Sequence, residues 1–279
     1  MTKPTTPPVP EAIRRVLTVL DPTGPYQSVV DVATDLARRL RTGGLGLLLR
    51  DEASLGAAGL PRAREIQRVP AAIVSTTRAH AESQFRARAR RIEALLAGPD
   101  RTGPPWTVTS APAMTRAEVL RAFREGDLLV VAQESRPGTA YDRLAAHLLA
   151  EGPHPILMVP PAARPIRSVQ AVYDESDAGR RLLALAGVLA ASIGRPTVDV
   201  IVPGQEAAPN GPAALPDALG RHGVSATFLS QARLDPAAAR RRLSTPPGLL
   251  LLPASLLARE GPSLAYALRT LGWPFLLVR

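Results

Sequence analysis

Val16-Leu17-Thr18-Val19-Leu20-Asp21 and Val169-Gln170-Ala171-Val172-Tyr173-Asp174 read as one pattern written twice, an apolar strand that ends in a carboxylate. Each is followed by a stretch with helical spacing and a second apolar run. These are Val30 to Arg41 then Leu45 to Leu49 in the first copy, and Leu182 to Ile193 then Val198 to Val202 in the second. A short buried-strand run comes later in each, Leu128 to Val131 and Leu249 to Leu252. Each copy closes on proline and aliphatic residues, Pro155-Ile156-Leu157-Met158-Val159 and Pro274-Phe275-Leu276-Leu277-Val278. Four landmarks in the same order imply an internal duplication, and that sets the organisation before any chemistry is considered.

Strands and helices alternate through both copies. In the first, the pattern predicts strands at Arg15 to Leu20, Leu45 to Leu49, Trp106 to Ser110, Leu128 to Val131 and Ile156 to Val159. Helices are predicted over Ser28 to Leu40, His80 to Ala97, Thr115 to Arg124 and Tyr141 to Leu149. The first helix places Val29, Val32, Ala33, Leu36, Ala37 and Leu40 on one face, and Gly43-Gly44 is expected to end it. In His80 to Ala97, Phe85, Ala89, Ile92 and Leu96 face inward and the arginines outward. Thr115 and Glu118 form a capping box. The second copy is a shorter edition, with strands at Val169 to Tyr173, Val198 to Val202, Val224 to Leu229, Leu249 to Leu252 and Phe275 to Val278. Its helices are Ala178 to Ser192, Ala213 to Arg221, one from Asp235 to Leu243, and Leu264 to Leu271. Continuous apolar strands separated by helices imply parallel sheets covered on both faces, and right-handed crossovers then give an open, doubly wound sheet in each half. One sheet running through both halves would contradict that division.

Composition narrows the class of protein. The 279 residues fit two domains, and 46% hydrophobic residues suffice for a core in each. The absence of cysteine excludes disulfides, thiolate chemistry and cysteine-ligated zinc. Met1 to Pro10 is rich in Pro and Thr and lacks the apolar segment of a signal peptide. The apolar run Gly248 to Ala258 is too short to span a bilayer and contains Pro253. A cytoplasmic protein without membrane contact is the expectation. The net charge of +10 is shared between the halves, 21 basic and 16 acidic residues up to Pro161, 13 and 8 after it. Two local clusters stand out, Arg86/Arg88/Arg90/Arg91 and Arg240/Arg241/Arg242. Such clusters can neutralise phosphates, but a solvated helix face in an arginine-rich protein is the favoured reading, and 4% aromatic residues leave few platforms for stacking bases.

The order of elements resembles the universal stress protein family in its tandem form, two domains in one chain, over Arg14 to Arg279. The resemblance is carried by the strands ending in Asp21 and Asp174, by Gly126-Asp127-Leu128-Leu129-Val130-Val131, and by the closing Pro-aliphatic strands. Leu60-Pro61-Arg62-Ala63-Arg64-Glu65-Ile66 is also similar to segments of some tandem members. The resemblance implies two tandem doubly wound open parallel-sheet α/β domains of the adenine-nucleotide α-hydrolase-like kind. Residues 1–12 are a disordered tail, 13–161 the first domain and 165–279 the shorter second, with the break at Pro160 to Arg164. It further implies that the halves pack as an intramolecular pseudo-dimer.

In an open parallel sheet, ligands bind beyond the carboxyl ends of the strands where strand order reverses. Family members that bind ATP place an acidic residue after the first strand and wrap the phosphates in a Gly-x2-Gly-x9-Gly-Ser/Thr loop after the fourth. Glycine is needed there because backbone N–H groups must approach phosphate oxygens closely. This chain departs from that loop twice. After Val131 it reads Ala132-Gln133-Glu134-Ser135-Arg136-Pro137-Gly138-Thr139-Ala140, with one glycine, a proline that lacks an N–H and a glutamate that repels phosphate. The second half reads Pro253-Ala254-Ser255-Leu256-Leu257-Ala258-Arg259-Glu260-Gly261-Pro262-Ser263, which is no better. Asp21, Gly138, Thr139 and Asp174 are therefore the vestigial nucleotide-site candidates, and ATP binding is expected to be weak or absent. For Asp21 and Asp174, turn formation and capping of the following helix is the favoured alternative to ligand contact.

No reaction is legible. His80, His147, His154 and His222 lack metal-ligand spacing, and no Gly-x-Ser-x-Gly elbow, Walker loop or dinucleotide fingerprint occurs. Gly43-Gly44-Leu45-Gly46 precedes a strand instead of joining strand to helix. The expectation is a non-catalytic stress-response protein that binds no metal and acts through a protein partner. The alternative is a sensor of adenine nucleotide, and nucleic-acid binding through the arginine clusters ranks third.

Overall fold

The structure, a computed structural model, describes residues 13–22, 24–49, 78–98, 105–110, 116–124, 126–133, 155–163, 165–203, 219–231, 248–256, 258–259 and 272–279, with single positions at 141, 144, 147, 148, 264 and 268. In chain order the elements are β1 (Arg15–Leu20), α1 (Gln27–Leu40), β2 (Gly43–Leu48), α2 (Arg78–Ala97), β3 (Trp106–Ser110), α3 (Arg116–Ala122), β4 (Asp127–Ala132) and β5 (Ile156–Val159). The second half adds β6 (Val169–Val172), α4 (Asp177–Ser192), β7 (Thr197–Pro203), β8 (Ser225–Gln231), β9 (Leu249–Pro253) and β10 (Phe275–Val278). The tail 1–12, residues 213–218 of one proposed helix, the proposed helix at 235–243, Thr115, His154 and Arg240 to Arg242 lie outside the described residues; Leu219 and Gly220, at the end of the first of these helices, are helical.

The strand order is β3-β2-β1-β4-β5-β10-β9-β6-β7-β8. Read from the outer edge inward, both halves have the same order, and within each half neighbouring strands run parallel. The α/β class and the doubly wound parallel order therefore hold. The separation into two sheets does not: β5 and β10 pair antiparallel and fuse the halves into one ten-stranded sheet. The reason lies in the two closing strands. Each is buried along its whole length and forms the inner edge of its own half, where an unpaired row of N–H and C=O groups would be costly. Pairing the two edges satisfies both.

Side-chain alternation along the strands divides the core into two layers. On one face Val16, Leu20, Leu128, Val130, Leu157 and Val159 meet α1, α2 and α4, together with Val169, Ala171, Leu249, Leu251, Leu276 and Val278. On the other, Leu17, Val19, Leu129, Val131, Ile156 and Met158 join Val119 of α3 and Tyr141, Leu144 and Leu148. That second layer continues through Leu250, Leu252, Phe275 and Leu277 to Leu256, Leu264 and Leu268. Both layers run across the seam. A fully buried leucine contributes about 2 kcal/mol through removal of apolar surface from water, so the seam is as much core as either half. At the surface the Ser28 hydroxyl donates to the Pro161 carbonyl and holds the segment after β5 against the start of α1.

The helix faces match the predicted pattern, with Val29, Val32, Ala33, Leu36 and Ala37 buried in α1 and Ala89, Ile92 and Leu96 in α2. Arg86, Arg88, Arg90 and Arg91 are exposed. One local expectation is corrected. Gly43 and Gly44 do not end α1 but open β2; Arg41 takes the left-handed turn instead, at φ 53°, and Thr42 N–H bonds Ala37 O at 3.0 Å. The glycines serve packing. A Cβ on Gly44 would lie 2.3 Å from Trp106 Cδ2, and one on Gly46 2.8 Å from Leu96 Cδ1. Flat strand surface at β2 makes room for the indole of β3 and for a leucine of α2.

Candidate functional site

Strand order reverses between β1 and β4 in the first half and between β6 and β9 in the second, so each half has a crevice at its carboxyl edge. Asp21 and Asp174 follow β1 and β6 and occupy the same place in the two halves, because Val16 pairs with Leu128 as Val169 pairs with Leu249. Gly138 and Thr139 lie outside the described residues.

In the first half the chain turns directly after Asp21, whose carbonyl accepts from Gly24 N–H at 3.0 Å. The half-buried carboxylate packs against Gly24, where a Cβ would lie 3.4 Å from Oδ2. Arg88 of α2 reaches the Pro22 carbonyl at 3.4 Å. Beneath this turn, Thr18 Oγ1 donates to Val130 O at 3.0 Å and ties β1 to β4. At the end of β4, Ala132 N–H donates to the Tyr141 hydroxyl at 2.6 Å. Burial raises the pKa of that phenol well above its ordinary value, and the nearby charge of Asp21 pushes the same way. Gln133 follows, 8% exposed, with neither atom of its carboxamide hydrogen-bonded. The crevice therefore brings together Asp21, Tyr141 and Gln133. Tyr141 escaped the sequence reading because nothing local marks it; its partner Ala132 is met only through the fold.

The second half is built differently. Asp174 Oδ1 accepts from Ser176 Oγ at 2.5 Å and from Ser176 N–H at 3.2 Å. Ser176 is the N-cap of α4, and its Oγ accepts in turn from Gly179 N–H at 3.0 Å. A Cβ on Gly179 would sit 2.8 Å from Asp174 Oδ1. Asp174 thus holds the capping serine, whose hydroxyl takes one of the free N–H groups at the start of α4. The Ser176-Asp177 pair at the start of an apolar helix was a readable cap signal.

Among the described residues, no group of three or more His, Cys, Asp and Glu could hold a metal. His80 lies 2.8 Å from Gln84 on the exposed side of α2, and His222 packs on α4 at Gly187, where a Cβ would lie 2.8 Å from its ring. No described helix is long and apolar enough to cross a membrane.

Among solved structures, the chain is similar to a universal stress protein from Archaeoglobus fulgidus, with a TM-score of 0.61 and 12% identity over 97% of each chain. The fold is that of the universal stress proteins. A putative universal stress protein from Pseudomonas aeruginosa matches at a TM-score of 0.55 and 16% identity, over 97% of this chain and 94% of that one. A functionally unknown protein from the same organism matches at 0.53 and 17%, over 96% and 93%. Each likeness extends over both halves. No protein-family model and no curated protein matches the sequence.

Proposed function

We propose that the chain is a tandem universal stress protein, with repeats at 13–161 and 165–279 joined as an internal pseudo-dimer. On this reading it is non-catalytic and acts in the cytoplasm, in the stress response, through a protein partner. The observation that carries the reading is Tyr141. Its hydroxyl takes the N–H of Ala132 at the end of β4, where a phosphate-binding loop would begin and would need free backbone donors. With Pro137 and Glu134 following, this edge offers a polyphosphate little. In the second half, Asp174 is engaged by Ser176, which caps α4 through Gly179 N–H.

Calorimetric titration with ATP and magnesium tests this directly. Weak or absent binding and no hydrolysis are expected; low-micromolar affinity would establish the nucleotide-sensor alternative. A pull-down from stressed cells tests the partner, and failure to recover any protein reproducibly would overturn the interaction reading. Gel shifts between about 50 and 200 mM salt should show no specific nucleic-acid complex; a complex that weakens by orders of magnitude over that range would support phosphate contacts by the arginines.

A further inference from the structure

One row of the sheet differs in kind between the two halves. In the first, Leu129, Leu17 and Leu45 stand side by side on β4, β1 and β2, with Thr107 at the β3 edge. At the same register the second half carries Leu250, Gln170, Asp199 and Thr227 on β9, β6, β7 and β8. Alternation puts these residues on the face that buries Val172, Ile201 and Leu252. The row nearer the strand starts has changed as well. There the first half holds a fixed cation, Arg15, bonded to Asp127 through Nε at 3.0 Å and a terminal nitrogen at 2.5 Å. The second half has Ser168 and Gly248 in those places, so both charges and most of the side-chain volume are gone.

What replaces them is a carboxylate with no ion pair among the described residues. Gln170 is 6% exposed; its Nε2 donates to Asp199 Oδ2 at 3.3 Å and its Oε1 has no partner. A buried carbonyl oxygen left unpaired is destabilising, and an aliphatic row of the first-half kind would have avoided that cost. Thr197, Ser225 and Thr227 are exposed beside the pair, so the row descends from solvent at the β8 edge to the buried carboxamide.

We propose that this row binds a slender organic cation, an alkylammonium or alkylguanidinium, whose charged head is taken by Asp199 and Gln170 Oε1. The available groups are acceptors, so the ligand must bring N–H donors. Asp199 excludes an anion, and a neutral donor leaves the carboxylate unneutralised. A hard metal ion is a poor fit, because calcium and magnesium take about six or more oxygens and the row offers one carboxylate, one amide oxygen and one threonine hydroxyl. The head must also be narrow to reach a residue as buried as Gln170, and its alkyl stem can run back over Thr227 to solvent at the β8 edge.

Titration calorimetry of the full chain with agmatine and with spermidine tests the site. Saturable one-to-one binding is expected against the overall charge of +10, which disfavours non-specific cation uptake. Asp199→Asn, nearly isosteric, and Gln170→Leu, the first-half residue, should each weaken agmatine binding about tenfold or more while the fold is retained by circular dichroism. Asp177→Asn, on the exposed start of α4, should leave it unchanged. Non-saturable heats, binding indifferent to Asp199→Asn, or displacement of agmatine by millimolar magnesium would each overturn the proposal.

Discussion

Leu157 and Leu276 stand directly opposite each other across the β5–β10 seam, and each holds the same place in its own half. Ile156 pairs with Leu129 as Phe275 pairs with Leu250, which makes Leu157 and Leu276 equivalent. On either side of them, Phe275 faces Met158 and Leu277 faces Ile156, again equivalent positions exchanged. The duplication is therefore two-fold symmetric about this one pair. Both leucines are fully buried, and they lie in the layer that α1 and α4 share.

A core continuous across the seam predicts that the halves unfold together. The two tryptophans are placed to report this, Trp106 on β3 and Trp273 just before β10. Single-tryptophan variants Trp106→Phe and Trp273→Phe should give coincident denaturant transitions. Leu276→Ala should shift both probes alike, at a cost of about 2–5 kcal/mol. Two separated transitions would show that the halves are independent.

The Arg15–Asp127 pair is the principal polar anchor of the first half. Asp127 is 2% exposed and also accepts from Arg124 N–H at 2.8 Å, while Arg15 donates to Ala122 O at 2.7 Å. Asp127→Ala should cost about 3 kcal/mol, the lower part of the range for breaking a buried pair, because Arg15 keeps some access to water. The double change Arg15→Ser with Asp127→Gly, the second half's own solution, should cost less than the two single changes summed. Chemical denaturation of the four proteins of that cycle checks it.

Gly44→Ala and Gly46→Ala should each destabilise by about 1–3 kcal/mol through overpacking against Trp106 and Leu96. For Gly44→Ala the tryptophan must move, so the emission maximum of Trp106 in a Trp273→Phe background should shift with the melting temperature. A neutral result would mean that the β2–β3 surface yields easily.

Tyr141 predicts a loss of stability in alkali. Its phenol is held protonated in the folded protein by burial, whereas in the unfolded chain it ionises near the ordinary value of 10.0. Above that pH the unfolded state binds fewer protons than the folded one, so its contribution to stability is full below about pH 10 and declines as pH rises beyond it. Ultraviolet titration should show a late tyrosine step that belongs to Tyr141. Tyr141→Phe should abolish that late step and cost about 1–2 kcal/mol by leaving Ala132 N–H unpaired.

The duplicated strands, the alternation of strand and helix, the buried faces of α1 and α2, and the placement of Asp21 and Asp174 were determined by the sequence alone. They depend on periodicity over a few residues, and that signal is local. The joining of two sheets into one was decided by tertiary structure, because an apolar edge strand announces that it needs a partner without saying which. The role of Gly44 was likewise settled by Trp106, a residue distant in the chain whose indole needs flat strand surface more than α1 needs a glycine cap. The site divides in the same way. Missing glycines after Val131 were plain to read, but Tyr141 on Ala132 N–H and Gln170 beside Asp199 arise only where the fold sets them side by side, since a hydrogen bond between distant residues leaves no periodic trace in the chain.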